Sequence, residues 1–167
     1  MSRKPVFKRI WSALLLLSLV LMVRPTGAVS AAASPTKLDQ LDKIFSAQVK
    51  ELAYQKDLLN SVLARLDEVK DIQGGYEKTD FAFNSIQWNM NHALRDIAAA
   101  KDAIAQADKL LSTHRGYEFS GSSLTSISNK YVAEVSINAL AGQVAASGTN
   151  LRRAMRVLKM LIKDYGN

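Results

Sequence analysis

A chain of 167 residues, 48% apolar and 22% charged, is long enough for one domain with a tail, and its Leu, Ile and Val content is that of a folding chain. Eight Gly and three Pro exclude a collagen-like or wholly disordered polymer, and zero Cys with two His exclude disulfide scaffolds, zinc fingers, thiol catalysis, covalent c-type haem and lipid attachment at an N-terminal Cys. The formal net charge is +7, from 22 Lys and Arg against 15 Asp and Glu, and the first question is whether that excess belongs to the working protein.

The N-terminus bears on that question. Arg3, Lys4, Lys8 and Arg9 lead into 14 uncharged residues, Ile10 to Val23, followed by Arg24, Pro25, Gly27 and the small residues from Ala28 to Ser34. A basic region, an apolar region and small residues at a cleavage site make up a secretory signal, here residues 1–33 with cleavage after Ser30, Ala31 or Ala33. Fourteen residues span only about 21 Å as a helix, short of the roughly 30 Å hydrocarbon core, so a cleaved signal is favoured over a retained anchor. Taking the leader's five cations from 22 leaves 17 against 15 acids, or +2. Nucleic acid is therefore not an expected partner, and the expected destination is the periplasm or the exterior of a bacterial cell.

Residues 34–167 are read as one all-α domain: an elongated antiparallel bundle of three long helices. Thr36 with Asp39 three residues on forms a capping-box variant that opens the first helix. Leu38, Leu41, Phe45, Leu52, Leu59, Val62, Leu66 and Val69 then recur at three, four or seven residues along one stripe, with Gln48 and Gln55 on it as register-fixing polar residues. Gly74 and Gly75 predict a stop near Gln73.

Thr79 or Asp80 can cap a second helix, whose main stripe is Phe83, Ile86, Met90, Ala93, Leu94, Ile97, Ile104 and Leu111. His114 and Arg115 before Gly116 suit its last turn. At 100° per residue, Phe81, Trp88, Ala99, Ala103 and Leu110 form a second apolar band roughly opposite the first. A third helix packing on that band is the expectation; the functional alternative is that Trp88, with His92 one turn on, is an exposed anchor for a partner or for self-association.

Residues 116–123 read as a loop by composition, in which Tyr117 and Phe119 either pin the loop to the bundle or contact a partner. Leu124, Ile127, Tyr131, Val135 and Leu140 give the third helical stripe, although Tyr131 to Ile137 also alternates as a strand would. Ser147, Gly148, Thr149 and Asn150 resemble a break with a new cap, the alternative being a continuous helix. Beyond them Leu151, Ala154, Met155, Leu158, Leu161 and Ile162 form an apolar face, while Arg152, Arg153, Arg156, Lys159 and Lys163 supply five cations with no acid before Asp164. By contrast, residues 34–111 carry ten basic and twelve acidic side chains. The basic face points to an acidic protein partner, or to peripheral contact with anionic lipid.

Catalytic patterns are sparse. His92 and His114 lie 22 residues apart with no carboxylate at ligand spacing, and there is no Ser nucleophile elbow, phosphate-binding Gly loop or zincin His-Glu pair. No cofactor, metal or enzymatic activity is therefore expected. The general architecture, a leader followed by long antiparallel helices, is similar to that of minor pilus components of type IV secretion systems. That similarity implies an exported structural or interaction subunit, or adaptor, of a cell-envelope assembly. The alternative is a periplasmic helical-hairpin chaperone, although no strand precedes the hairpin here as it does in the trimeric members of that class.

Overall fold

The computed structural model describes residues 36–166; the leader assigned to residues 1–33 lies outside them. Among the described residues there are three helices and one two-stranded hairpin: α1 (Lys37–Gly74), α2 (Phe81–Ser112), β1 (Tyr117–Ser120), β2 (Ser123–Ile127) and α3 (Lys130–Tyr165). No helix among them is long and apolar enough to cross a membrane.

The start of α1 follows from its first four residues. Thr36 Oγ1 accepts from Asp39 N at 3.2 Å, and Asp39 Oδ2 accepts from Thr36 N at 2.8 Å and from its hydroxyl at 2.7 Å. Those donors hold the Asp39 carboxyl below its ordinary pKa. The folded form is therefore favoured above the unfolded carboxylate pKa, and this contribution is lost as pH falls through the folded value. Loss of the Thr36 hydroxyl in Thr36→Ala is expected to cost about 1 kcal/mol at neutral pH, and the gap from the parent should narrow in acid. Urea unfolding at the two pH values checks this; an equal gap at both would remove the ionised box as the cause.

Helix α1 runs 38 residues, about 57 Å, and ends at the expected glycines, with Gly75 in right-handed rather than left-handed conformation. Asp80 occupies the N-cap of α2 without capping it; its carboxylate instead accepts from Glu77 N at 3.0 Å in the preceding turn. α2 ends at Ser112, so His114 and Arg115 lie past its last turn.

Helix directions follow from the cross-links. Gln55 bonds Val144 O and Tyr76 bonds Tyr165 O, both 89 residues apart, so α1 and α3 run parallel. Lys56 with Asp108 and Gln73 with Gln87 place α2 antiparallel to α1, and Tyr165 with Ser85 and Ser136 with Arg115 place it antiparallel to α3. Phe45, Leu52, Val62, Leu66 and Val69 of α1, Ile86, Met90, Ala93, Ile97 and Ile104 of α2, and Ile137, Leu140, Val144, Leu151, Leu158 and Leu161 of α3 make one core. The expected stripes of α1 and α2 supply it or pack against it, except that Leu94 is 38% exposed and Phe83 is half-buried outside the core.

Three expectations are corrected. Residues 117–127 are a hairpin, and Leu124 and Ile127 belong to β2 rather than to the third helix. The pairing explains the misleading spacing: Phe119 faces Leu124 and Tyr117 faces Ile127, but the register shifts between them, leaving Thr125 as an extra residue. That bulge puts two core-facing residues three apart, a helical spacing, on one strand. Gly121, at φ 59°, makes the tight turn, and Gly116, at φ 80°, presents its carbonyl to Ser128 N and Asn129 N, closing the base of the hairpin onto the start of α3.

The second correction concerns 147–150, where α3 is continuous over its 36 residues. Ser147 and Gly148 are buried where α3 meets α1, and a Cβ on Gly148 would lie 2.7 Å from Gln55 Nε2. The small residues serve close approach rather than chain reversal. Third, α3 covers only the Ala103 and Leu110 end of the second band of α2 and leaves Phe81, Trp88 and Ala99 outside. It packs on the side carrying Ala93, Ala100, Ala103 and Ala107, all buried, where methyl side chains let backbones come near; Phe81 stays 86% and Trp88 63% exposed, and Ala99 is exposed. Of that band only Ala103 is buried and Leu110 half-buried.

Candidate interaction site

The residues singled out in the sequence fall in three places. Tyr117 is buried, packed edge-on against Phe45 with ring centroids 5.5 Å apart, and burial pushes its hydroxyl above the ordinary phenol pKa. Phe119 is half-buried, 5.1 Å from Phe45 and 4.9 Å from the His114 ring. His114 Nδ1 donates to Leu111 O at 2.9 Å while Nε2 lies 3.3 Å from Glu118 Oε2. These aromatics fasten the hairpin to α1 and to the end of α2, and the Tyr117 ring offers a partner no surface.

Trp88 and His92 lie on the exposed side of α2, ring centroids 4.2 Å apart, and Arg95 Nη2 donates to His92 Nδ1 at 2.7 Å. With Phe81 two turns earlier on the same side, this is a solvent-facing aromatic row that the core does not use.

The basic residues make the third place. Arg152, Arg153, Arg156, Lys159 and Lys163 are all exposed, and among the described residues none of them has a carboxylate within ion-pairing distance. Spacings of four, three and four put Arg152, Arg156, Lys159 and Lys163 within about 60° on one side of α3, while Arg153 stands about 90° from the middle of that stripe. Because α1 runs parallel beside α3, it supplies a second wall. Tyr54 and Leu58 of α1 with Arg152, Met155, Arg156 and Lys159 of α3 line an open groove of about 390 Å³. Tyr54 is 58% exposed, and Leu58 and Met155 are half-buried, so the floor is apolar and one wall is cationic.

The α1 wall lies outside the residues that the sequence pattern points to. Its signal is there: Tyr54 and Leu58 are two apolar residues one turn apart and off the main α1 stripe. At the head of the groove Arg152 lies back over Gly148, its Nη1 3.3 Å from where a Cβ would stand. The same glycine thus gives room to the buried Gln55 amide and to a groove-lining guanidinium.

Among the described residues no three His, Cys, Asp or Glu side chains gather to hold a metal ion. Comparison with protein-family models, curated proteins and solved structures gives no match to the chain.

Proposed function

We propose that the chain is an exported, non-enzymatic helical bundle that serves as an interaction subunit or adaptor of a bacterial cell-envelope assembly. The observation that carries this reading is the basic stripe of α3, without a carboxylate at ion-pairing distance among the described residues, beside an apolar groove on a bundle whose core does not use it. The aromatic row at Phe81, Trp88 and His92 supports it as a second surface outside the core, since aromatic and Arg side chains are the residue types that concentrate binding energy at interfaces. The leader pattern of residues 3–33 supports export.

The test is in-cell crosslinking of the tagged full chain in its native host, compared with Trp88→Ala and with a charge reversal of Arg152, Arg153 and Arg156. Both sets of side chains are exposed, so helicity by circular dichroism should stay at the parent level. A crosslinked envelope protein lost in either variant is the expected result. Retention of every crosslink in both variants would refute the proposal, and so would stoichiometric suppression of aggregation of unfolded outer-membrane proteins, which is the behaviour of a chaperone.

A further inference from the structure

We infer that the α1–α3 groove receives an acidic amphipathic helix of a partner protein, its carboxylates paired with Arg152, Arg156, Lys159 and Lys163 and its apolar side seated on Tyr54, Leu58 and Met155. This rests on the reading of the chain as an interaction subunit and names the partner's chemistry. The four cations extend 11 residues along α3, about 16 Å, and a helix laid alongside with acids at i, i+4, i+7 and i+11 repeats the same rise and the same narrow arc. The pairing is open, because among the described residues no carboxylate within ion-pairing distance already neutralises these side chains. The apolar floor fits the flank of such a helix, and Met155 is an adaptable residue to place under it.

Charge excludes two occupants from this chain itself. Residues 1–33 bring five cations and no acid. Two copies joined across a two-fold axis at the groove would set one basic stripe on another. An anionic lipid surface needs only the cations, whereas a helix uses both the cationic stripe and the apolar side chains of Tyr54, Leu58 and Met155 beside it.

The experiment uses protein purified from cells expressing the full chain and a fluorescent peptide of about 18 residues. The peptide carries Glu at i, i+4, i+7 and i+11 with Leu on the adjoining stripe, and a second peptide of the same composition has its Glu distributed around the helix. Anisotropy should show the striped peptide binding about tenfold or more tightly than the distributed one, weakening steeply between low and physiological salt. Arg156→Glu, alone or with Arg152→Glu, should weaken the striped peptide about tenfold or more, while Arg153→Glu, which stands off the stripe, should change it by about twofold at most. Equal binding of the two peptides, or equal losses from Arg153→Glu and Arg156→Glu, would overturn the inference. Displacement of the striped peptide by phosphatidylglycerol vesicles with no such effect from phosphatidylcholine vesicles would do the same and assign the stripe to lipid. Because the assay contains no envelope component, its failure alongside a retained Arg-dependent crosslink in cells would remove the helix and leave the subunit reading standing.

Discussion

Replacing Phe45 by Ala should lower the stability of the domain by about 3–5 kcal/mol, the usual range for deleting a fully buried aromatic ring. Phe45 is 0% exposed and stands where α1 meets the hairpin, with the Tyr117 ring at 5.5 Å and the Phe119 ring at 5.1 Å. A two-stranded hairpin is marginal at best on its own in water, so β1 and β2 depend on this contact for their place. Their other fastenings are smaller: Leu124 N donates to Asp42 Oδ1 at 2.6 Å, the His114 ring packs 4.9 Å from Phe119 with its Nε2 3.3 Å from Glu118 Oε2, and Gly116 O receives two amides at the hairpin base. The loss is a large fraction of the 5–15 kcal/mol that such domains possess. It should appear as a lower urea midpoint at unchanged slope, with faster amide exchange at Tyr117, Phe119 and Leu124 than in the helices. Phe119→Ala, removing a half-buried ring, should cost less. A Phe45→Ala loss smaller than that of Phe119→Ala would overturn the assignment of Phe45 as the main anchor, and small losses from both would show that the hairpin is held by its hydrogen bonds instead.

The hairpin is also where local sequence misleads most. Helix α1 is legible because every level agrees: Thr36 and Asp39 are spaced for a capping box, the apolar stripe keeps one side for nine turns, and glycines follow it. At Leu124 and Ile127 the levels conflict, since a bulge at Thr125 gives a strand the apolar spacing of a helix. The two apolar sides of α2 are equally visible on a helical wheel, but a wheel cannot say which one a neighbour covers. Alanines decide it in the structure, because the side of α2 carrying Ala93, Ala100, Ala103 and Ala107 lets α3 approach, and Trp88 is left outside. For the groove, the cationic wall is legible from the spacing of Arg152, Arg156 and Lys159. Its partner wall at Tyr54 and Leu58 is not, because it requires the parallel 89-residue offset of α1 and α3, a tertiary fact.

Gly148 offers the sharpest separation between a local and a tertiary role. Local propensity makes it a weak point in a helix, so a substitution other than Pro should help by up to about 1 kcal/mol. The structure reverses that expectation. A Cβ at Gly148 would stand 2.7 Å from Gln55 Nε2, and that amide donates to Val144 O and to Glu51 Oε1, each at 2.9 Å, while Gln55 Oε1 accepts from Ser147 Oγ. Gln55 is 2% exposed and Ser147 0%, so displacing the amide strands polar groups away from water. Overpacking of about 1–3 kcal/mol combined with a lost buried hydrogen bond of about 1–3 kcal/mol outweighs the propensity gain, and Gly148→Val should be destabilised by about 3 kcal/mol. Gly142 is the matched control: exposed on the same helix, with nothing within 4 Å of its added Cβ, Gly142→Ala should be stabilised by about 0.5–1 kcal/mol. Paired urea titrations of the two variants would therefore move in opposite directions from the parent. If both moved upward together, Gly148 would be an ordinary helix glycine, and neither the Gln55 contact nor the seat it provides for Arg152 at the head of the groove could stand.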